Sequence, residues 1–119
     1  MLTKEDWLPV GSMVRLKDGE RPVMVAGYMA IGGSDGRIWD YVGYPYPVGR
    51  MDSRDYFFDK ESVEEIYLVG YLDQLGRQFQ AFLEEQDEEY QRKKREATDN
   101  MSSRGTGAVV SSSVKSSKE

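Results

Sequence analysis

Three stretches of the sequence carry side chains of a kind that does chemistry. Asp52, Asp55 and Asp59 could gather around calcium. Gly32, Gly33 and Gly36 could cradle a phosphate, and the serines near the C-terminus could serve as nucleophiles. Each falls short by spacing or setting. The three acids lack the Asp-x-Asp-x-Asp-Gly loop that wraps a calcium ion, so they read as turn and surface residues. No Gly-Lys-Ser/Thr follows the glycines and no strand–loop–helix surrounds them, so they read as a hairpin loop. The serines have no positioned base. The 119 residues include no His and no Cys. That removes the commonest general base, cysteine nucleophiles, disulfides and thiolate metal sites. No enzyme activity, cofactor or metal is expected.

Recognition is left. The densest feature is the aromatic and proline run Trp39-Asp40-Tyr41-Val42-Gly43-Tyr44-Pro45-Tyr46-Pro47. Tyr and Trp anchor protein interfaces at low entropic cost, while strands favour aromatics for packing alone. One face of the run is therefore read inward and the other outward. Tyr44, Pro45, Tyr46 and Pro47 are the first candidates for a protein-binding site, with Tyr90 further along.

These residues need elements to hold them. Met13-Val14-Arg15-Leu16-Lys17 alternates as a half-buried strand does, and Asp18-Gly19 is a hairpin signal. Pro22 to Ile31 reads as a second, central strand, with Gly27 marking a bulge or bend. Ile38 to Tyr44 gives a third, and short loops between the three imply an antiparallel meander. Pro45-Tyr46-Pro47-Val48-Gly49 is a stiff loop. Asp59 to Ser62 predicts one helical turn capped by Asp59, and Ile66 to Tyr71 a fourth strand. Asp73 can cap a long helix whose stripe is Leu75, Phe79, Phe82, Leu83, Gln86 and Tyr90. Leu75 to Leu83 are expected to pack on the sheet, with Gly76 marking close approach to it. Residues 84–97 are expected to project into solvent as a charged helical extension, offering Tyr90 to a partner. Glu88 and Arg92, and Glu89 and Lys93, are placed to pair along it.

The expected fold is α+β: about four antiparallel strands, open or curled as a partial barrel, packed by the C-terminal amphipathic helix. Residues 1–97 form one domain. Residues 98–119 are Ser-rich, without aromatics, and expected to be a disordered tail. Only Ala108-Val109-Val110 could order there against a partner. Net charge of −5 and a sequence pI of about 4.8 argue against nucleic acid as a partner. Residues 1–7 show no apolar h-region, so no secretory signal is expected, and the run from Pro22 to Ile31 is about half of the ~20 residues a membrane span needs. A cytoplasmic protein without membrane insertion is expected.

Several phrases together resemble the domain-of-unknown-function family 4176. Leu8-Pro9-Val10-Gly11-Ser12-Met13-Val14 and Leu16-Lys17 resemble its opening. Pro22-Val23-Met24-Val25 and Gly27-Tyr28 resemble its second strand. Asp40-Tyr41-Val42-Gly43, Tyr46-Pro47 and Gly49 are similar to its central signature. Phe58-Asp59, Ile66-Tyr67, Gly70-Tyr71 and Phe79 follow in order. Val48 stands where the pattern has Glu, and the tail has no counterpart. The resemblance implies a small cytoplasmic protein of Gram-positive bacteria, encoded beside type VII secretion toxins with an LXG export domain. Its family includes a staphylococcal chaperone of a nuclease toxin. By resemblance, the chain would be a chaperone or adaptor. Its partners would be a secreted toxin or its targeting domain and the secretion-system ATPase. An immunity or regulatory protein, and a homodimeric scaffold, are the alternatives. Exported helical partners of such systems carry a Trp-x-Gly turn and a Tyr-x-x-x-Asp/Glu tail signal. Here Trp39 is followed by Asp40-Tyr41, and no Tyr has an acid four residues on.

Overall fold

In a computed structural model of the protein, residues 2–32, 36–51, 53–99 and 109–112 are described, with 98, 99 and 109–112 as backbone. The fold is α+β. Strands β1 (Met13–Leu16), β2 (Val23–Gly32), β3 (Arg37–Pro45) and β4 (Arg54–Phe58) form a meander. A 3-10 turn over Lys60–Ser62 then leads into β5 (Val63–Leu68), which returns to pair with β1. Helix α1 spans Gln74–Asp99, and a short β6 (Val109–Ser112) lies outside β4. The order across the sheet is β5-β1-β2-β3-β4-β6, antiparallel throughout.

The meander and its register follow from local chemistry. In β1, Val14 and Leu16 are buried while Met13 and Arg15 are half-buried, as period-two patterning requires. Asp18 takes a left-handed φ of 65° in the following turn. In β2, the register slips between Val25 and Gly27. The predicted bulge is therefore at Ala26 beside Gly27, and a Cβ on Gly27 would stand 2.9 Å from Val42.

The strand count differs from the expectation by two: β6, in the stretch expected to be a disordered tail, and β4. Its sequence, Arg54-Asp55-Tyr56-Phe57-Phe58, begins with charges and sits among prolines and aspartates, which reads as loop. Its inner half is aromatic and pairs Tyr56, Phe57 and Phe58 with Gly43, Val42 and Tyr41. The sheet stays open: among the described residues β5 pairs with β1 alone and β4 is flanked outside by β6. Most of the predicted tail lies outside the described residues. Within it, Val109–Ser112 is β6.

The core includes a segment with no regular structure. Trp7 and Leu8 are 1% and 0% exposed, clamped by tyrosines from the sheet. The Leu8 N–H donates to the Tyr41 hydroxyl at 2.9 Å, which donates to the Asp6 carbonyl at 3.1 Å. The Tyr28 hydroxyl donates to the Leu8 carbonyl at 2.6 Å. Trp7 meets Tyr28, Tyr41 and Tyr90 edge-on, with ring centroids 5.9, 5.5 and 5.7 Å away. Its indole N–H donates to Asp87 of α1 at 3.1 Å. A strap of backbone between sheet and helix must have its polar groups satisfied, and these hydroxyls contribute to that.

Helix α1 starts as predicted. The Asp73 carboxylate accepts the Gly76 N–H at 2.9 Å, the N-cap bond that an exposed first turn needs, and this bond holds the Asp73 pKa below its ordinary value. Gly76 does not mark approach to the sheet: the nearest groups to a Cβ there are Leu72 and Asp73. Lys93 lies 3.8 Å from Glu89 as anticipated, whereas Arg92 pairs with Glu89 at 2.8 Å and Glu96 at 3.2 Å. No described helix is long and apolar enough to cross a membrane.

A candidate protein-binding surface

The predicted loop follows β3. Pro45 ends the strand, and the Tyr46 N–H donates to the Pro22 carbonyl at 2.9 Å, tying the loop to the start of β2. The Gly49 N–H donates to the Pro45 carbonyl at 2.8 Å, and Gly49 takes a positive φ of 68°, which favours glycine. Arg50 bridges to Asp55 at 3.1 Å across the base. Tyr44 is half-buried beside that pair, and burial, with the Asp55 carboxylate, raises its phenol pKa. Tyr46, Pro47, Val48 and Met51 face outward. Three of the four predicted loop residues thus flank a surface knob, and Tyr44 turns partly inward. Val48, where the resemblance expects Glu, makes the knob apolar.

Tyr90 is elsewhere. It is 7% exposed and belongs to a buried charge network. Its hydroxyl donates to Asp40 Oδ1 at 2.8 Å. Lys94 donates to Asp40 Oδ1 at 2.9 Å and to Asp59 Oδ1 at 2.7 Å. Arg37 donates to Asp59 Oδ2 at 3.3 Å and lies 4.0 Å over the Trp39 ring. The backbone N–H groups of Asp40 and Lys60 donate to Asp59 Oδ1 at 3.0 Å and Asp40 Oδ2 at 2.8 Å. Two carboxylates face two cations, so the charge inside balances, which buried ions require. Asp59, read as a surface or turn residue and helix cap, is 1% exposed and makes no side-chain cap bond. The arrangement binds the C-terminal half of α1 to β3 and the chain after β4. Residues 84–97 therefore lie along the sheet rather than projecting from it.

This changes which face of the helix is open. The less exposed positions of α1 are Gly76, Gln80, Leu83, Asp87, Tyr90, Lys94 and Ala97, with Gln91 beside them. Their spacing alternates four and three, a single inward stripe. Four members are polar, and each has a partner: Gln80 the Trp7 carbonyl, Asp87 the Trp7 indole, Tyr90 and Lys94 the carboxylates. At 100° per residue the helix is turned by roughly 70° from the expected orientation. Leu75, Phe79 and Phe82 are consequently 74%, 46% and 50% exposed. Phe79 stacks on Phe82 at 6.0 Å and leans on Tyr28 at 5.6 Å. Tyr71 and Val10 extend the apolar area, and two shallow hollows meet across Tyr71, Gly76 and Phe79. Contiguous exposed apolar surface of this kind marks an interaction site. The apolar stripe is visible in the sequence, but Leu75, Phe79 and Phe82 face solvent rather than the core.

The buried phenols make stability depend on alkali. Burial pushes the Tyr28 pKa up to about 12 and raises those of Tyr41 and Tyr90 also, with the Asp40 charge adding at Tyr90. In the unfolded chain all three ionise near 10. Below pH 10 the folded state keeps the full advantage, and it is lost as pH rises through the folded values. An unfolding free energy from urea titration that is flat to about pH 9.5 and then falls, by about 1.4 kcal/mol per pH unit for each phenol and about 4 for the three together, is the expected result. Tyr28→Phe should shallow the fall.

Compared with known proteins, residues 7–79 match the model of the family described as Domain of unknown function (DUF4176). No curated protein and no solved structure matches the chain.

Proposed function

The chain belongs to the DUF4176 family, and from that premise we propose that it is a cytoplasmic chaperone or adaptor. It binds a type VII secreted toxin, through the toxin's own or targeting domain, and brings it to the export machinery. The supporting observation is the exposed apolar stripe Leu75, Phe79 and Phe82 with Tyr71 and Val10. Such a surface fits helix-in-groove or helix-on-helix docking. The loop of Tyr46, Pro47, Val48 and Met51 is a second contact.

Co-expression with the toxin encoded beside its gene tests this. The toxin should co-purify with the full chain. Phe79→Asp with Phe82→Asp should weaken binding about 30-fold or more, the loss of a hot spot worth about 2 kcal/mol. Both rings are half buried and Phe79 leans on Tyr28, so stability should fall as well, by about 1–3 kcal/mol, and binding is compared at a temperature where the variant stays folded. Tyr46→Ala with Met51→Ala measures the loop's share. Failure of every neighbouring toxin to bind would overturn the proposal. Rescue of growth from active toxin, without support of its export, would favour immunity. A dimer by light scattering with no toxin bound would favour the scaffold.

A further inference from the structure

The two edges of the sheet are protected differently. The outer edge of β5 carries exposed Glu64 and Glu65, charges that discourage another strand from adding. The outer edge of β4 carries Tyr56, Phe57 and Phe58 in succession, with Arg54 and Asp55 of opposite sign before them. Short, aromatic, uncharged on balance and without proline, it suits strand addition. The chain's own β6 occupies it, with Phe57, Tyr56, Asp55 and Arg54 opposite Val109, Val110, Ser111 and Ser112. β6 has four residues, and two are serines of weak strand preference. It is a cover with few ladder bonds.

We propose that the outer edge of β4 is a strand-accepting site, held in cis by Val109–Ser112. An extended, uncharged, β-branched segment of a partner protein displaces β6 and adds itself to the sheet. Main-chain hydrogen bonds supply affinity in this mode, and side chains at alternate positions supply selectivity. β-branched residues in place of Ser111 and Ser112 strengthen the pairing relative to the native cover. The inference does not rest on the partner being a toxin.

Residue-resolved amide exchange on the full chain is the test. In an antiparallel pair, alternate residues of a strand bond to the same neighbour. The double variant Val110→Pro, Ser111→Pro therefore removes a ladder donor whichever residue supplies it. Those amides of Arg54–Phe58 that point toward β6 should exchange about tenfold faster in the double variant than in the wild type, while those that point toward β3, and those of β2, are unchanged. A peptide with the sequence of residues 105–116 carrying Ser111→Val and Ser112→Thr is then added to the wild-type chain. Amides 109–112 should speed up while β4 stays protected, and the same peptide carrying prolines at 110 and 111 should leave both 109–112 and β4 as they are without peptide. Equal β4 exchange in wild type and double variant overturns the proposal. So does a peptide that leaves amides 109–112 unchanged.

Discussion

Asp59→Ala is expected to lower stability by about 3–5 kcal/mol, a large part of the roughly 5–15 kcal/mol available to a domain of this size. The urea midpoint should fall accordingly. Asp59 is 1% exposed and receives Arg37, Lys94 and the Asp40 N–H. Without it, two cations face a single carboxylate in the interior. Deleting one charge of a buried set costs more than the set contributes, because the remaining charge is left unsolvated. Lys94→Met separates this from loss of packing. Asp40 would keep the Tyr90 hydroxyl and the Lys60 N–H, and Asp59 would keep Arg37. That variant leaves Asp40 and Asp59 facing Arg37 alone, so the same imbalance predicts a comparable loss, about 3 kcal/mol or more. A loss of about 1 kcal/mol or less would mean that the network acts through shape rather than charge.

The same network explains what sequence reading could and could not see. Strands β1, β2 and β3, the Asp18 turn, the bulge beside Gly27 and the Asp73 cap are written in local chemistry, and they stand as expected. Strand β4 was hidden because its charges precede its aromatics, so neither period-two alternation nor an apolar run is complete. The helix was legible in extent and not in phase. Its inward stripe contains Gln80, Asp87 and Lys94, which look like solvent positions until their partners are known. Those partners, Trp7, Asp40 and Asp59, are far away in sequence. A polar residue is buried when a remote group satisfies it, and no local pattern carries that information. Of the candidate binding residues, Tyr46 and Pro47 reach the surface because two prolines in three residues force a projecting turn. Tyr90 does not, because Asp40 draws its hydroxyl inward.

Trp7→Ala should have an effect of similar size, about 3–5 kcal/mol for a fully buried tryptophan. The ring touches sheet and helix at once, through Tyr28, Tyr41 and Tyr90, and its indole donates to Asp87. Trp7→Phe keeps most of the ring area but not the donor. Asp87 would retain Gln91 at 3.2 Å, so about 1–2 kcal/mol is expected. The pair bears on binding as well as stability. Trp7 is 1% exposed and can touch no partner, yet it fixes the rotation of α1 that turns Leu75, Phe79 and Phe82 outward. At a temperature where Trp7→Ala remains folded by far-ultraviolet dichroism, it should still bind the helix-face partner more weakly than Trp7→Phe. Phe79→Asp with Phe82→Asp should weaken binding at least as much at a temperature where that variant, too, remains folded. A Trp7→Ala protein that binds as tightly as wild type would mean that the helix face is not the contact, and would transfer the interface to the loop of Tyr46 and Met51.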